Sequence, residues 1–249
     1  MKIGRILVLT AASLCLAATG AVADGHHHFG YEGKEAPKFW GDLNPEWSVC
    51  KTGHNQSPID IKDAVAVKEY RGINFHYTGE AKDVINNGHT IQANFKEGSW
   101  LELEGKRFEL LQAHFHTPSE YTFDGKHFPM VAHIVHKAAD GQMLVVGVMF
   151  QEGVRNTVVG KVFMEAPREK DKSKPVAKID LKTLVADFNA YYRLSGSLTT
   201  PPCTEGVIWI IGKHPITASK EQMDKFTSII GWNNRPMLKP NGRQIIIVE

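Results

Sequence analysis

Residues 108–116 read FELLQAHFH and residues 130–136 read MVAHIVH, with an Asp124-Gly125 turn between them. Both runs are rich in apolar and β-branched residues and are typical of strands in a sheet. Side chains two apart on a strand point to the same face, so His114 and His116 can bind one ion together. The pair therefore predicts a metal site on one face of a sheet.

His133 lies in the second run, and an antiparallel return would bring it beside that pair. Three imidazoles leave one tetrahedral position open, which is the arrangement of a catalytic rather than a structural zinc site. His136 follows three residues later and should point to the other face, where we expect a structural role. The alternative is that these are ordinary core or surface histidines, which we would favour for a lone His-x-His.

Other strand-like runs recur along the chain and are separated by Gly-containing turns. Their spacing predicts a mainly β fold with a large, mostly antiparallel sheet. The further runs are Val84-Ile85, Thr90–Phe95, Trp100–Leu103, Leu144–Phe150, Val207–Ile211 and Gln244–Val248.

Helical patterns are scarce. Leu181–Phe188 and Ser219–Ile230 are the better candidates, and in the second Ser219 can cap the helix, with Gln222 three residues on and Gly231 as the stop. The charged run Arg168–Lys174 is most simply a solvated loop.

The first 23 residues are typical of a removable signal peptide. A basic start, an apolar run and Ala21-Val22-Ala23 precede Asp24, which predicts a mature domain of residues 24–249. The alternatives are a membrane anchor, for which the run is short, and lipid attachment at Cys15, for which Leu14 is an unsuitable preceding residue. No other segment is apolar for long enough to cross a membrane.

The charge balance argues against a general nucleic-acid binder. The chain has 29 Lys and Arg against 27 Asp and Glu, and removal of Lys2 and Arg5 with the leader leaves 27 of each. Nucleic-acid binding requires a basic surface, which a neutral chain does not supply. The mature chain would keep Cys50 and Cys203, either as a disulfide, as is common after export, or as two buried thiols.

Seven short motifs resemble those of the α-carbonic anhydrases, above all the bacterial members, and they follow the family order over nearly the whole mature chain. The resemblance implies a single domain with a twisted, mostly antiparallel central sheet and short peripheral helices. The motifs are Gly30-Tyr31, Asn55–Ile61 (NQSPIDI), Asn86–His89 (NNGH), His114–Glu120 (HFHTPSE), His133–His136 (HIVH), Ser197–Cys203 (SLTTPPC) and Asn234–Pro236 (NRP).

The resemblance also implies residue roles. His114, His116 and His133 are the zinc ligands, Thr199 and Glu120 orient the attacking hydroxide, and His89 shuttles protons. Cys50 and Cys203 match the disulfide of exported members. The water network would be Tyr31, Asn87, Gln92 and Thr200, and the apolar substrate wall would be Val135, Val145, Leu198, Val207 and Trp209.

The implied reaction is the zinc-dependent, reversible hydration of carbon dioxide to bicarbonate and a proton. In the family, zinc-bound hydroxide attacks carbon dioxide, and a histidine passes the released proton to buffer. A periplasmic or secreted location follows from the leader. Bacterial relatives are often homodimers, and the sequence leaves the oligomeric state open.

Three positions depart from the family pattern. Val131 stands where the family has a Glu that accepts the outer N–H of the third ligand, Tyr121 replaces a His, and Leu194 replaces a Tyr. We predict that Tyr121 with an ordered water, or a backbone carbonyl, takes over that network. Gln112 keeps the amide acceptor expected for His114. Phe29 replaces a usual Trp, for which we expect a small packing effect.

Two other functions are compatible with parts of the sequence. A non-catalytic binding module on the same fold would account for the three departures, although such modules usually lack the zinc histidines. A periplasmic zinc or copper carrier would use His26–His28, a cluster that is more often only a mobile terminus. Neither alternative explains why Thr199 and Glu120 accompany all three ligands.

Overall fold

The computed structural model describes residues 28–67 and 72–249. The predicted leader, Cys15 and two residues of the His26–His28 cluster lie outside the described residues. The strands within them are β1 (Asp60–Ile61), β2 (Val65–Val67), β3 (Ile73–His76), β4 (Ala81–Asn86), β5 (Ile91–Phe95), β6 (Trp100–Leu103), β7 (Lys106–His116), β8 (Thr122–Phe123), β9 (Lys126–His127), β10 (Met130–Ala138), β11 (Met143–Glu152), β12 (Lys172–Pro175), β13 (Tyr191–Ser197), β14 (Glu205–Gly212), β15 (Ile216–Ala218) and β16 (Ile246–Val248).

Helices are few and short. The α-helices of the described residues are α1 (Trp40–Leu43), α2 (Val49–Thr52), α3 (Thr157–Glu165) and α4 (Lys220–Ile230), and the 3₁₀ helices are Gly33–Glu35, Pro37–Phe39, Pro45–Trp47 and Leu181–Leu184. None of these helices is both long and apolar enough to span a membrane. The predicted mainly β fold class is therefore confirmed.

One large mixed sheet organises the molecule. Its main path runs β12-β4-β5-β7-β10-β11-β14-β13-β16-β2, and β1, β8 and β9 form a separate small sheet. Most neighbours in the large sheet are antiparallel, whereas β14 and β15 pair with β11 in parallel and β16 pairs with β2 in parallel. The two strands that carry the predicted ligands, β7 and β10, are antiparallel neighbours at the centre.

Both faces of β10 are buried along nearly its whole length, which explains its nearly continuous apolar sequence, whereas β7 alternates between buried and partly exposed residues. On β10, Met130, Ala132 and Ile134 belong to a large hydrophobic core, whereas Val131 and Val135 belong to a smaller one. Burial of each such side chain contributes about 1.5–3 kcal/mol. We call the smaller one the cleft cluster; its buried members are Ile59, Ile61, Tyr121, Val131, Val135, Val145, Met149, Leu194, Val207, Trp209, Ile211 and Ile245.

The helix predictions were partly right. Helix α4 has the expected capping box between Ser219 and Gln222, and Gly231 ends it. The predicted helix Leu181–Phe188 is wrong beyond Leu184, because only one 3₁₀ turn forms there. Helix α3 was not predicted; Asn156 caps it by accepting hydrogen bonds from two main-chain N–H groups.

The charged run Arg168–Lys174 is also only partly a loop. Its exposure is as expected, but β12 begins within it and pairs with β4 at the edge of the large sheet. Charged side chains on an edge strand prevent further strand addition, so the lysines of β12 suit that position.

A disulfide joins Cys50 to Cys203, as predicted, with 5.0 Å between the two Cα atoms. The bond spans 153 residues of sequence and ties α2 to the turn after β13. Closing so long a loop lowers the entropy of the unfolded chain, which corresponds to at most about 5 kcal/mol of stability.

Candidate metal centre and cleft

The three predicted ligands converge on one point of the central sheet. His133 on β10 lies directly opposite His114 on β7, and Val131 lies opposite His116. The ring centroids are 5.0 Å apart for His114 and His116, 5.3 Å for His114 and His133, and 4.7 Å for His116 and His133. One ring nitrogen from each residue lies within 4.8 Å of the other two, so the group could hold a single metal ion.

Two of the three imidazoles are fixed by hydrogen bonds. Nδ1 of His114 lies 2.8 Å from Oε1 of Gln112, and Nδ1 of His116 lies 2.7 Å from the main-chain oxygen of Asn233. Because both oxygens can only accept, Nδ1 carries the proton and Nε2 keeps its lone pair for a metal. Nε2 of His116 is buried without a hydrogen-bond partner among the described residues.

Burial keeps His114 and His133 in the form that binds metals. Desolvation, together with the neighbouring His116, lowers the pKa of His114 well below its ordinary 6.5. The pKa of His133 is lowered for the same reasons, desolvation first and the other two histidines second. Neutral imidazoles are the form that ligates zinc, so the three residues fit that ion.

The surroundings of His133 differ from the sequence-based prediction. Tyr121 does not contact its ring nitrogens by a hydrogen bond; the Tyr121 hydroxyl instead donates to Oγ of Ser57 at 2.7 Å. Nε2 of His133 is buried and has no partner among the described residues, so no backbone carbonyl replaces the missing acceptor. The predicted replacement by a backbone carbonyl is therefore wrong, whereas replacement by Tyr121 together with an ordered water stays a prediction. Val131 and Leu194, at the other two altered positions, are buried in the cleft cluster beside Tyr121.

Glu120 is a fully buried carboxyl group next to the histidines. Its Oε1 accepts a hydrogen bond from the main-chain N–H of Arg235 at 2.9 Å, and its Oε2 lies 3.8 Å from Nδ1 of His133. Desolvation raises its pKa, and His116, the Thr199 side chain and Arg235 oppose that rise. Thr199 thus lies beside the carboxyl group and favours its charged form. Oε2 itself has no hydrogen-bond partner with good geometry among the described residues.

The turn that carries Thr199 and Thr200 is held at both ends. The main-chain N–H of Leu198 donates to the oxygen of Thr204 at 3.0 Å, and that of Cys203 donates to the oxygen of Thr200 at 2.9 Å. The disulfide of Cys203 ties this turn to α2. Two hydrogen bonds and one covalent link therefore fix the backbone of the turn that carries Thr199.

A cavity of about 220 Å³ opens above His114 and His116. It brings together all the predicted water-network residues and the predicted shuttle. The lining residues are Phe29, Tyr31, Asn87, His89, Thr90, Gln92, Gln112, His114, His116 and Thr200. The Tyr31 hydroxyl is buried without a hydrogen-bond partner in the described residues, and burial raises its pKa. A larger cavity of about 720 Å³, lined by residues such as Arg107 and Lys137, contains none of the predicted site residues.

His89 lies at the mouth of this cavity. Its ring stacks on Phe29 with 3.9 Å between centroids and 9° between planes, and the His28 ring centroid is 5.3 Å away. Oδ1 of Asn87 accepts the main-chain N–H of His89 at 2.9 Å, which fixes the turn. Desolvation, then His28 and Lys170, lower the pKa of His89 from 6.5 to about 4.

An apolar surface lies beside His133, the third predicted ligand. The ring of Trp209 meets the ring of His133 edge to face, with centroids 4.8 Å apart. Trp209 is also the register partner of Val145 across β11 and β14. The other predicted wall residues lie with them: Val135 and Val207 belong to the cleft cluster, and Leu198 packs against it.

Asn233 is a site residue that the sequence did not reveal. It is completely buried, its main-chain oxygen binds His116, and its Oδ1 accepts the N–H of Thr117 at 2.8 Å. Its Nδ2 donates to the main-chain oxygen of His89 at 3.0 Å. One side chain thus connects the ligand strand with the His89 turn. The position next to the NRP motif was the only sequence feature that pointed to it.

The sheet, the histidine group and the adjoining cleft define a β-fold protein with a candidate metal centre, and comparisons with known proteins place it in a family. The family model described as "Eukaryotic-type carbonic anhydrase" matches residues 35–247. A carbonic anhydrase of Pectobacterium carotovorum is 42% identical over 245 residues, which cover 98% of this chain and 99% of the relative. A carbonic anhydrase of Neisseria gonorrhoeae is 41% identical over 242 residues, covering 96% of each chain.

A solved structure agrees with the sequence relatives. The α-carbonic anhydrase of Thermovibrio ammonificans, in complex with the inhibitor sulfanilamide, superposes with a TM-score of 0.85 and 46% identity. The match covers 89% of this chain and 100% of that one. The chain therefore belongs to the α-carbonic anhydrase family, and it is an enzyme of that family.

Proposed function

We propose that this enzyme binds one zinc ion at His114, His116 and His133 and catalyses the reversible hydration of carbon dioxide to bicarbonate. The observation that carries the proposal is the convergence of three imidazoles beside a buried Glu120 and a Thr199 on a fixed turn. Zinc supplies Lewis acidity, which in carbonic anhydrase itself lowers the pKa of bound water to about 7; that value is a property known for the family and not of this structure.

Thr199 and Glu120 would orient the attacking oxygen. An ionised carboxylate can only accept hydrogen bonds, so the Thr199 hydroxyl would donate its hydrogen bond to Glu120. The Thr199 oxygen is then available only as an acceptor towards the attacking oxygen. An oxygen that donates to Thr199 then has its lone pair directed away from the threonine, towards the substrate. Fixing one orientation before the reaction lowers its entropic cost.

The apolar wall would hold carbon dioxide next to that oxygen. The substrate is uncharged, so contact with Val135, Val145 and Trp209 costs it little desolvation free energy. Bicarbonate is charged and is poorly solvated by the same surface, which favours its release. Substrate and product are thereby distinguished by polarity.

Proton removal would use His89. The ring lies at the mouth of a cavity lined by Tyr31, Asn87, Gln92 and Thr200, whose polar groups can order a chain of waters from the ligands outward. Because the pKa of His89 is lowered to about 4, the ring releases a proton readily, but its protonation is unfavourable at neutral pH. We therefore expect its contribution to depend strongly on added buffer.

We also propose that the enzyme is exported. The leader motif of residues 1–23 and the Cys50–Cys203 disulfide support a periplasmic or extracellular location, because such bonds persist in oxidising compartments. Fractionation of cells that express the full chain would test this. A mature chain that begins near Asp24 in the periplasm or medium is the expected result.

The decisive experiment measures carbon dioxide hydration by stopped flow together with zinc content. We expect one zinc per chain, a rate that a chelator abolishes, and recovery when zinc is restored. His116→Ala is the matched control, since it removes one ligand and should abolish both zinc retention and the rate. A folded, zinc-loaded chain without hydratase activity would favour the non-catalytic binding module instead.

A further inference from the structure

His133 differs from the other two ligands in having no anchor. Gln112 holds His114 and the Asn233 carbonyl holds His116, each through one hydrogen bond to Nδ1. For His133, Nε2 is buried with no partner among the described residues, and Nδ1 comes no closer than 3.8 Å to the nearest carboxylate oxygen, on Glu120. That distance is beyond a hydrogen bond.

The cause is a local replacement of polar side chains by apolar packing. Gln112 stands two residues before His114 on β7, and Val131 occupies the same place before His133 on β10. Val131 is completely buried in the cleft cluster, beside Tyr121 and Leu194. Tyr121 carries a hydroxyl in this cluster, and that hydroxyl donates to Oγ of Ser57. No residue of the described chain accepts a hydrogen bond from Nε2 of His133.

The missing acceptor acts on metal binding through the tautomer of the ring. A nitrogen that binds a metal must be deprotonated, so the proton moves to the nitrogen turned away from the ion. In His114 and His116 that proton already has an acceptor before the metal arrives. In His133 the metal-bound form carries a buried, unpaired N–H, whereas the metal-free ring can adopt the other tautomer and avoid it.

We propose that His133 is the labile ligand of this centre, so that Val131 makes the site exchange its zinc faster than a site with three anchored imidazoles. The inference rests on the proposed zinc site. Loss of an outer hydrogen-bond partner typically lowers metal affinity about 10- to 100-fold, and we expect an effect of that size here, mainly in the rate of release.

The test adds the acceptor and measures zinc transfer to excess chelator. Val131→Gln places an amide two residues before His133, as Gln112 stands before His114. The triple variant Val131→Glu, Tyr121→His and Leu194→Tyr restores the whole polar set, so that no buried carboxylate is left unpaired. Both should release zinc about 10- to 100-fold more slowly than the parent. Met149→Gln is the matched control, because it buries an amide in the same cluster on the neighbouring strand and should leave the rate unchanged.

Two further readouts separate anchoring from general packing. Gln112→Leu removes the anchor of His114 and should speed release further, which keeps the test open if the Val131 variants fail to fold. In the metal-free parent, ¹⁵N NMR of the histidine rings should show mixed tautomers for His133 and single Nδ1–H tautomers for His114 and His116.

Refutation of the labile ligand can be told apart from refutation of the proposed zinc site. If the parent takes up no stoichiometric zinc, both proposals fall. If it takes up zinc but folded Val131→Gln and the triple variant release it at the parent's rate, only the labile ligand is refuted. An unchanged rate in Gln112→Leu, or a metal-free His133 ring held only in its metal-binding tautomer, would overturn it as well.

Discussion

Strand β10 carries two histidines that look alike by burial and lie on opposite faces of the sheet. His133 and His136 are three residues apart, are 1% and 0% exposed, and both have a pKa lowered chiefly by desolvation. His133 faces the cleft, where two other imidazoles lie within reach of one ion. His136 faces the large core, where its Nε2 lies 2.8 Å from the Tyr77 hydroxyl.

The comparison shows that burial and a shifted pKa do not identify a metal ligand. Convergence does, because one ion needs several lone pairs directed at a single point. The alternation of side chains along a strand assigns the two residues to opposite faces. Within residues 28–67 and 72–249, the histidines that converge with one of them on a single point, His114 and His116, lie on the cleft face. The predictions below test this division of the two faces, beginning with the largest expected effect.

Replacing one histidine on each face should show the difference between the two faces most clearly. His133→Ala removes a ligand, so zinc content should fall and hydration should drop by more than about 100-fold, beyond the effect of losing an outer partner. His136→Phe should keep one zinc per chain and a hydration rate close to the parent's. Equal loss of zinc in both variants, measured by metal analysis of folded protein, would remove the distinction between the faces.

A second change on the cleft face should leave the metal in place. Thr199→Val keeps the shape of the side chain and removes the hydroxyl beside Glu120, so orientation of the attacking oxygen is lost. We expect hydration to fall about 100-fold, the usual effect of removing one oriented hydrogen bond in a reaction centre, with zinc content unchanged. Stopped-flow rates on zinc-matched samples provide the check, and a parent-like rate would exclude Thr199 from the reaction.

The face of each histidine could be predicted from sequence because a strand has a strict two-residue period. Other features depend on contacts distant in the chain. From sequence, the Tyr121 hydroxyl could have donated its hydrogen bond to any of several groups. The acceptor is Ser57, which lies 64 residues away in the chain and is brought close only by the fold. Asn233 contributes a main-chain oxygen to His116, which no residue type at that position would reveal.

Two secondary-structure errors have similar causes. Helix α3 contains two adjacent β-branched valines and a glycine, which lower helix propensity, and it gains its stability from the Asn156 cap and from burial of one side. Strand β12 is a run of charged residues whose pairing is decided by the free edge of β4. In both places tertiary packing outweighs the local preference.

His89 should show a smaller effect, visible only when proton removal limits the rate. Its ring is stacked on Phe29, and its pKa of about 4 makes it a weak proton acceptor at neutral pH. His89→Ala should therefore lower hydration by about 10-fold in dilute buffer, below the usual range for a general base, and free imidazole should restore the rate. A defect that persists in concentrated imidazole would assign His89 to structure, like His136.

Replacing His136 should have no effect on the reaction but should change how the stability of the chain depends on acid pH. Desolvation lowers the pKa of His136 from 6.5 to about 3, so between these pH values the unfolded chain binds a proton that the folded chain does not. The free energy of unfolding should therefore fall as the pH drops from 6.5 towards 3, by up to about 5 kcal/mol from this residue. His136→Phe combined with Tyr77→Phe removes both partners of the buried hydrogen bond, so that neither is left unpaired. When the metal-free chains are unfolded chemically at several pH values, the free energy of unfolding should depend less steeply on pH for the double variant than for the parent. An equal pH dependence in both would show that His136 is not the group on the core face that titrates.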